Sequence, residues 1–407
     1  MKYCIIIPDG MADYPQERLG GRTPLEAAKT PGMDFIAENG QIGVVQTIPD
    51  GFTPGSDIAN LSLLGYDPNK YFTGRAPLEA VNIGVKLGKD DWAFRCNFVT
   101  VNDDIMADFS AGHISTKEAD TLISLLNEKL SPVCRAGTGR NESIKFYTGT
   151  SYRHLMVYHG SLKMDMKCMP PHDIVGQSIK ENLPRGNGSE MLIELMARSQ
   201  AILDGHEINK VRIDLKENPA NMIWLWGQGQ KPSMPGFRQR YGISGAVITA
   251  VDLVKGIARL IGWDVINVPG ATGYLDTDYA AKGKYAIEAL KNHDLVVVHV
   301  EATDEASHEG NLQEKIFAIQ NIDEKIISPI LEAGRDLKNL RIMVLPDHYT
   351  PIEKKTHSRE PVPFAIGGDG VEEGLGLPFT EANAQRSKLF IEHGHELMEY
   401  FLRKCAR

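Results

Sequence analysis

Six short runs of this 407-residue chain are apolar almost without interruption: "YCIII" near the start, then "VITAV", "DVINV", "DLVVVHV", "RIMVLP" and "VPFAI". Each is compact and rich in branched side chains, the pattern of strands buried on both faces. Between several of them lie amphipathic segments, 251–261, 277–291 and 311–333, long enough to be crossover helices. Strand and helix alternating in this way predict an α/β domain with a mostly parallel sheet and helices on both faces.

The middle of the chain has another texture. From about residue 80 to about 210, strand-like pieces such as "AFRCNFVTV" and "YRHLMVYHG" mix with helical patterns at 115–130 and 189–203. The length exceeds what one core usually covers, which favours two or three domains. The simplest arrangement is an insertion: residues 1–80 and 211–407 form the α/β domain, and 81–210 form a smaller α+β domain looped out of it. No internal repeat or low-complexity segment is present.

Composition narrows the setting without naming a function. With 42% hydrophobic and 24% charged residues, the chain is ordinary for a globular protein. Its net charge of -9 argues against general nucleic-acid binding, which needs a basic face. A small anionic ligand is still compatible, since a few clustered arginines make a local positive pocket. The five cysteines, Cys4, Cys96, Cys134, Cys168 and Cys405, are scattered and form no Cys-x-x-Cys pair, so they read as reduced thiols of a cytoplasmic protein. No apolar stretch approaches the roughly 20 residues of a membrane span, and "CIII" is too short for a signal segment.

Chemistry concentrates at the strand ends. In open α/β sheets, ligands bind outside the carboxyl ends of the strands, and four polar clusters sit at such ends. They are Asp9 in "IIIPDG", Asp304 and His308 in "VHVEATDEASH", Asp347 and His348 in "VLPDH", and His357 in "KKTHSREPVPF". Asp304 and His308 are four apart and share a face if a helical turn begins there. Any one of these has an ordinary explanation, a turn for Asp9-Gly10 or a solvated loop for His357. Three aspartates and three histidines on one edge of one sheet suggest a metal site instead. The mixture of carboxylate and imidazole suits Zn²⁺ or Mn²⁺ better than an all-oxygen Mg²⁺ or Ca²⁺ cage.

Ser56 follows Pro54-Gly55 and precedes the apolar-periodic "IANLSLL". Serine there is a favoured helix N-cap. The same position also suits phosphate chemistry, because a helix N-terminus attracts phosphate and a nearby metal activates a hydroxyl as nucleophile.

Eight motifs taken in order, "IIIPDGMAD", "TPGSDIANLSLLGYDP", "GRAPLEA", "FRCNF", "GATGYLDT", "VHVEATDEASHEG", "LPDHYTP" and "THSREPVPF", resemble the archaeal-type cofactor-independent phosphoglycerate mutases of the alkaline phosphatase superfamily. The resemblance covers essentially the whole chain and implies an alkaline-phosphatase-like fold with a lid domain inserted. It implies two divalent metal ions, Mn or Zn, with Mg or Co also compatible. One would be held by Asp304, His308 and His357, the other by Asp9, Asp347, His348 and the Ser56 oxygen. It further implies interconversion of 3-phosphoglycerate and 2-phosphoglycerate through a phosphoserine. In the insertion, Arg95, Asn97, His113 and Arg153 are the candidates for gripping a phosphoglycerate carboxylate and hydroxyls, and His172 and Asp173 for moving protons. Lys231, after the strand-like "MIWLW", is expected on the main domain near the hinge, where it would meet phosphate or simply water.

Other features carry less. "GATGYLDT" lacks a P-loop ending and reads as a turn into a helix; His393 and His395 read as the entry to a C-terminal helix, and His299 as a core residue of its strand. Where many superfamily members have glycine after Asp-His, this chain has Tyr349-Thr350-Pro351. Two alternatives stand beside the mutase: a metal-dependent phosphatase or phosphotransferase, including the homoserine kinase role proposed for similar bacterial proteins, and an inert scaffold. No ATP-binding glycine loop supports a kinase, and intact candidate ligands speak against the scaffold.

Overall fold

The computed structural model describes residues 1–131, 142–334 and 339–404. The chain divides into two compact units, Met1–Phe72 with Ser233–Arg407, and Thr73–Pro232. The inserted unit is wider than 81–210. Helix Arg75–Asn82 packs within it, and strand Met222–Gln230 pairs antiparallel with Trp92–Asn102, so the returning chain leaves the unit only after that strand.

The first unit is built on an eight-stranded sheet. Its order is Asp264–Val265, Gly245–Ile248, Leu295–Val300, Lys2–Pro8, Leu340–Val344, Val362–Gly368, Gln41–Val45 and Phe390–Ile391. All neighbours are parallel except Val362–Gly368, which runs antiparallel to both strands beside it. Alternate residues Cys4, Ile6, Val296, Val298, Ile342 and Val344 face one core with Ala286, Ile319, Ile322 and Ile326 from helices Tyr279–Asn292, Leu312–Ile322 and their continuation. The opposite alternates Ile5, Ile7, Val297 and Met343 are equally buried. A strand covered on both faces has no polar face to show, which is why these runs are uninterrupted in sequence.

The lone antiparallel strand matters for the site. The loop preceding Val362 arrives at the same sheet edge that the parallel strands reach with their carboxyl ends. His357 therefore joins Asp9, Asp304 and Asp347 although it precedes its strand and they follow theirs.

The second unit has an antiparallel sheet of Ile105–Asp108, Trp92–Asn102, Arg153–His159 and Ser143–Thr150, with Met222–Gln230 on the free side of Trp92–Asn102. Helices Thr116–Leu130 and Ser189–Leu203 bury Leu122, Leu126, Leu192 and Leu195 in a core with Phe94, Phe98 and Trp224. Thr116–Leu130 begins with a reciprocal cap between Ser115 and Glu118.

Cys4, Cys96 and Cys168 are free thiols; Cys134 and Cys405 lie outside the described residues. Among the described residues no helix is long and apolar enough to cross a membrane.

Candidate active site and metal-binding groups

Asp9 continues the alternation of Ile5 and Ile7 beyond the end of Lys2–Pro8. Its backbone N–H donates to Val300 O at 2.9 Å, extending the pairing with the neighbouring strand by one residue. The chain then turns sharply at Gly10, whose φ is +62°. A β-carbon there would lie 2.4 Å from both Asp304 Oδ1 and Thr350 Oγ1, so glycine is required by space as well as by conformation. Asp9-Gly10 is thus a turn and also the point where three loops converge.

Helix Ala302–Glu309 begins two residues after strand Leu295–Val300, and its i, i+4 spacing brings His308 Nε2 to 3.0 Å from Asp304 Oδ2. His357 Nε2 lies 3.1 Å from His308 Nε2 and 3.6 Å from the same Asp304 oxygen. His308 Nδ1 meets Lys355 O at 2.9 Å, which sets the ring's orientation. Asp347 and His348 follow strand Leu340–Val344. Asp347 Oδ1 accepts from the N–H groups of Gly10 and His348 at 3.1 and 3.0 Å, and Oδ2 accepts from Asn60 Nδ2 at 2.9 Å. His348 Nε2 lies 3.4 Å from Asp9 Oδ1 and 3.5 Å from Asp347 Oδ2.

Ser56 is the first residue of helix Ser56–Leu63, and Gly55 occupies the cap position. The hydroxyl is consequently not spent on capping. Ser56 Oγ lies 3.1 Å from His348 Nε2. Four residues on, Asn60 Nδ2 spans Ser56 O and Asp347 Oδ2, both at 2.9 Å, tying the helix to the carboxylate.

The electrostatics are those of a site with surplus negative charge. Asp9 is almost fully buried, and burial together with the charges of Asp347 and Asp304 holds its carboxyl well above the usual range. Burial alone would also raise Asp304, but its bonds to His308 and His357 overcome this and hold it low. Burial would lower His308, yet the Asp304 hydrogen bond and charge prevail and push it up to about 9. The ligand-capable atoms of Asp304, His348 and His357 form one close group and those of Asp9, His299 and Asp347 another. Among the described residues, Asp9 Oδ1 and His299 Nε2 are buried without a hydrogen-bond partner. Buried polar atoms rarely stand unsatisfied, and carboxylate and imidazole donors aimed at a shared point fit divalent cations.

His299 keeps its expected place in the core and also borders the site. It is buried in its strand as read, it lies on the same face as Ile7 and Asp9, and its Nε2 approaches Asp9 Oδ2 at 3.3 Å. A histidine in the otherwise apolar "LVVVHV" was the available signal. Sequence reasoning also passed over Asn60 and assigned no role to Thr350, whose importance lies in side-chain bonds that no local pattern reveals.

Beneath the site, Lys315 and Asp13 form a fully buried pair at 2.8 Å, with Lys315 Nζ also donating to Thr350 O at 2.9 Å. Removing one partner of such a pair costs about 3–5 kcal/mol. The loop carrying Asp347 to Thr350 therefore has a rigid support.

The remaining candidates lie in the second unit. Arg95 is buried, bonded to Glu79 Oε2 at 3.0 Å and set over the Trp226 ring at 4.2 Å. Asn97 Oδ1 accepts from Trp226 Nε1 at 3.2 Å. Arg153, His113, His172 and Asp173 are exposed, with Arg153 and His113 both beside the Tyr152 ring. His172 Nε2 lies 3.6 Å from Asp173 Oδ1, and its ring meets that of Trp226 at 5.4 Å. Lys231 is exposed and belongs to this unit rather than to the main domain, because strand Met222–Gln230 carries it there. Outside the site, "GATGYLDT" does lead into a helix, capped by Asp278, and His393 and His395 stack at the entry to the C-terminal helical turns.

Residues 37–209 match a family model described as 2,3-bisphosphoglycerate-independent phosphoglycerate mutase. The mutase of that name from Methanosarcina mazei is 53% identical over 367 residues, 90% of each chain. The one from Methanothrix thermoacetophila is 48% identical over 403 residues, 99% of this chain and 100% of its own. Among solved structures, a Pyrococcus horikoshii protein superposes with TM-score 0.79 at 32% identity, covering 98% of this chain and 96% of its own. The cofactor-independent phosphoglycerate mutase of Thermoplasma acidophilum does so with TM-score 0.67 at 27% identity, covering 100% of both.

Proposed function

This chain belongs to the 2,3-bisphosphoglycerate-independent phosphoglycerate mutases, isomerases that interconvert 3-phosphoglycerate and 2-phosphoglycerate, and on that premise we propose that Ser56 carries the phosphoryl group between the two hydroxyls. The observation that supports this is the 3.1 Å approach of Ser56 Oγ to His348 Nε2 at the head of a helix, beside Asp9 and Asp347.

Asp304, His308 and His357 would hold one divalent cation. Asp9, Asp347, His348 and the Ser56 oxygen would hold a second, with His299 against Asp9. Mn²⁺ or Zn²⁺ suits these donors best. Bound there, the cations supply charge neutralisation for the phosphate oxygens and lower the proton affinity of the attacking oxygen.

The chain's own residues do the rest. Ser56 Oγ gives up its proton and attacks phosphorus in line as the bond to one glycerate oxygen breaks, and that oxygen takes a proton. Glycerate then turns, and its other hydroxyl gives up a proton and attacks the phosphoserine as the bond to Ser56 Oγ breaks; Oγ takes a proton back, which restores Ser56 and leaves an isomer. The helix N-terminus at Ser56 favours the phosphate throughout. Free glycerate must be held while phosphoserine is kept from water. We assign that holding to the inserted unit, with Arg153 and His113 on the carboxylate and hydroxyls and His172 or Asp173 for the proton. Arg95, already engaged by Glu79 and Trp226, fits better as support for this surface, and Lys231 as a phosphate contact. Substrate and chemistry together point to the cytoplasm.

Two results check this reading. Arg153→Ala should lower kcat/KM for phosphoglycerate by about 10²–10³-fold, the scale of one lost charge-stabilising donor. Hydrolysis of p-nitrophenyl phosphate, which has no carboxylate to grip, should barely change, and equal losses on both substrates would show that Arg153 does not hold glycerate.

Cation loading should also release protons. His308, raised to about 9, is protonated at pH 7 in the cation-free protein, and an imidazolium offers no lone pair. Asp9, raised well above the normal range, adds to the effect. Calorimetric Mn²⁺ titration in two buffers of different ionisation enthalpy should find about one to two protons released at pH 7, fewer as pH rises past the His308 value. Loading with no proton release would remove His308 from the ligand set.

A further inference from the structure

One buried hydroxyl touches a member of each of the two cation ligand sets assigned above, His348 of one and Asp304 of the other. Thr350 Oγ1 lies 2.5 Å from Asp304 Oδ1 and 3.0 Å from His348 Nδ1, and the residue is fully buried. A threonine hydroxyl has one proton to give and lone pairs to accept with. The oxygens of the Asp304 carboxylate are acceptors, and the 2.5 Å bond runs from Thr350 Oγ1 to Asp304 Oδ1. The Thr350 proton therefore goes to Asp304, and the contact with His348 requires a hydrogen on Nδ1.

We propose that Thr350 is a positioning residue for the mutase reaction: its hydroxyl fixes His348 as the Nδ1–H tautomer, turning the Nε2 lone pair toward Ser56, Asp9 and Asp347, and with the same proton orients Asp304 in the other group. The assignment of His348 and Asp304 as cation ligands is a premise taken from the proposed function. The tautomer is not, because it follows from the hydrogen bonds alone.

The hydroxyl is well placed to do this. Thr350 O accepts from Lys315 Nζ at 2.9 Å, and its N–H donates to Ala12 O at 3.3 Å, so the backbone is held from both sides. Lys315 is itself bound by Asp13 at 2.8 Å. The Asp13 carboxylate also accepts from Ile352 N–H at 3.1 Å, so one buried ion pair secures the loop on both sides of Pro351. A side chain on such a support selects a tautomer instead of following one. One hydroxyl serving both ligand groups also means that losing it should disturb both sites, which a ligand substitution in one group would not do.

The test compares Thr350→Val, which keeps shape and loses the hydroxyl, with Thr350→Ser, which keeps the hydroxyl. Long-range ¹H–¹⁵N spectra of the cation-free, ¹⁵N-histidine-labelled protein read the tautomer directly. Wild type and Thr350→Ser should show His348 protonated on Nδ1, and Thr350→Val should show the Nε2–H form or a mixture. In Mn²⁺ titrations Thr350→Val should lose at least about tenfold in affinity, and Thr350→Ser should stay within about threefold of wild type, the scale expected for a partner of a ligating histidine. An unchanged Nδ1–H signal in Thr350→Val overturns the proposal, as do equal affinity losses in both variants, which would mean that bulk and not the hydroxyl matters. Should wild type bind no Mn²⁺ while the tautomer still responds to the hydroxyl, the cation assignment fails and the positioning role stands.

Discussion

Ser56→Ala is expected to reduce conversion of 3-phosphoglycerate to 2-phosphoglycerate by at least about four orders of magnitude, because no other group in the site replaces a covalent nucleophile. The fold should not suffer. Ser56 makes no capping bond, Gly55 holds the cap position, and alanine is a good residue for the first turn of a helix. Cation content should also stay close to wild type, since Asp9, Asp347 and His348 keep the second group together. A coupled assay for 2-phosphoglycerate, with metal analysis and a melting curve on the same sample, separates these effects. Wild-type turnover in the variant would remove Ser56 from the mechanism. Loss of the cation together with turnover would recast it as a ligand whose nucleophilic role is unproven.

Stripping divalent cations should have an effect of similar size on turnover and a second one on stability. Cation-free protein is expected to be inactive without added bisphosphoglycerate, and Mn²⁺ should restore turnover. Asp9, Asp304 and Asp347 lie close together with little solvent, and burial and the neighbouring charges raise the proton affinity of Asp9, a cost that a bound cation would relieve. A cation present at about a hundred times its dissociation constant stabilises the folded state by about 2.7 kcal/mol. The stripped protein should accordingly melt several degrees lower, and reloading should reverse both changes. Turnover indifferent to chelation would sink the metal-site assignment. No turnover after reloading, with aryl phosphate still hydrolysed, would leave the cation groups standing and move the search to another phosphate acceptor, beginning with homoserine.

The legibility of this protein varied by element. The runs "DLVVVHV" and "RIMVLP" announced their strands because both faces are covered, and burial on both faces leaves no ambiguity about period. Met222–Gln230 was recognised as strand-like but placed outside the insertion, because its partner, Trp92–Asn102, lies more than a hundred residues earlier and local sequence does not record such pairing. Asp304 and His308 were readable as a pair from helical spacing alone. Their meeting with His357 was expected from the resemblance, and the geometry behind it is the antiparallel Val362–Gly368 strand.

Residue order along the chain was enough to establish the α/β alternation, the polar strand ends and the serine at a helix start, because each follows from local periodicity and from the chemistry of single side chains. It was also enough for the family, through motifs spread over the whole length. Side-chain direction at the site was decided only by folding. His299 and Thr350 became part of the site because the sheet places separate loops within hydrogen-bond reach, and Ser56 is free to act because Gly55, its neighbour, takes the cap. Those outcomes depend on distances between residues 46 to 292 positions apart, and contacts of that range are set by the packing of the whole unit.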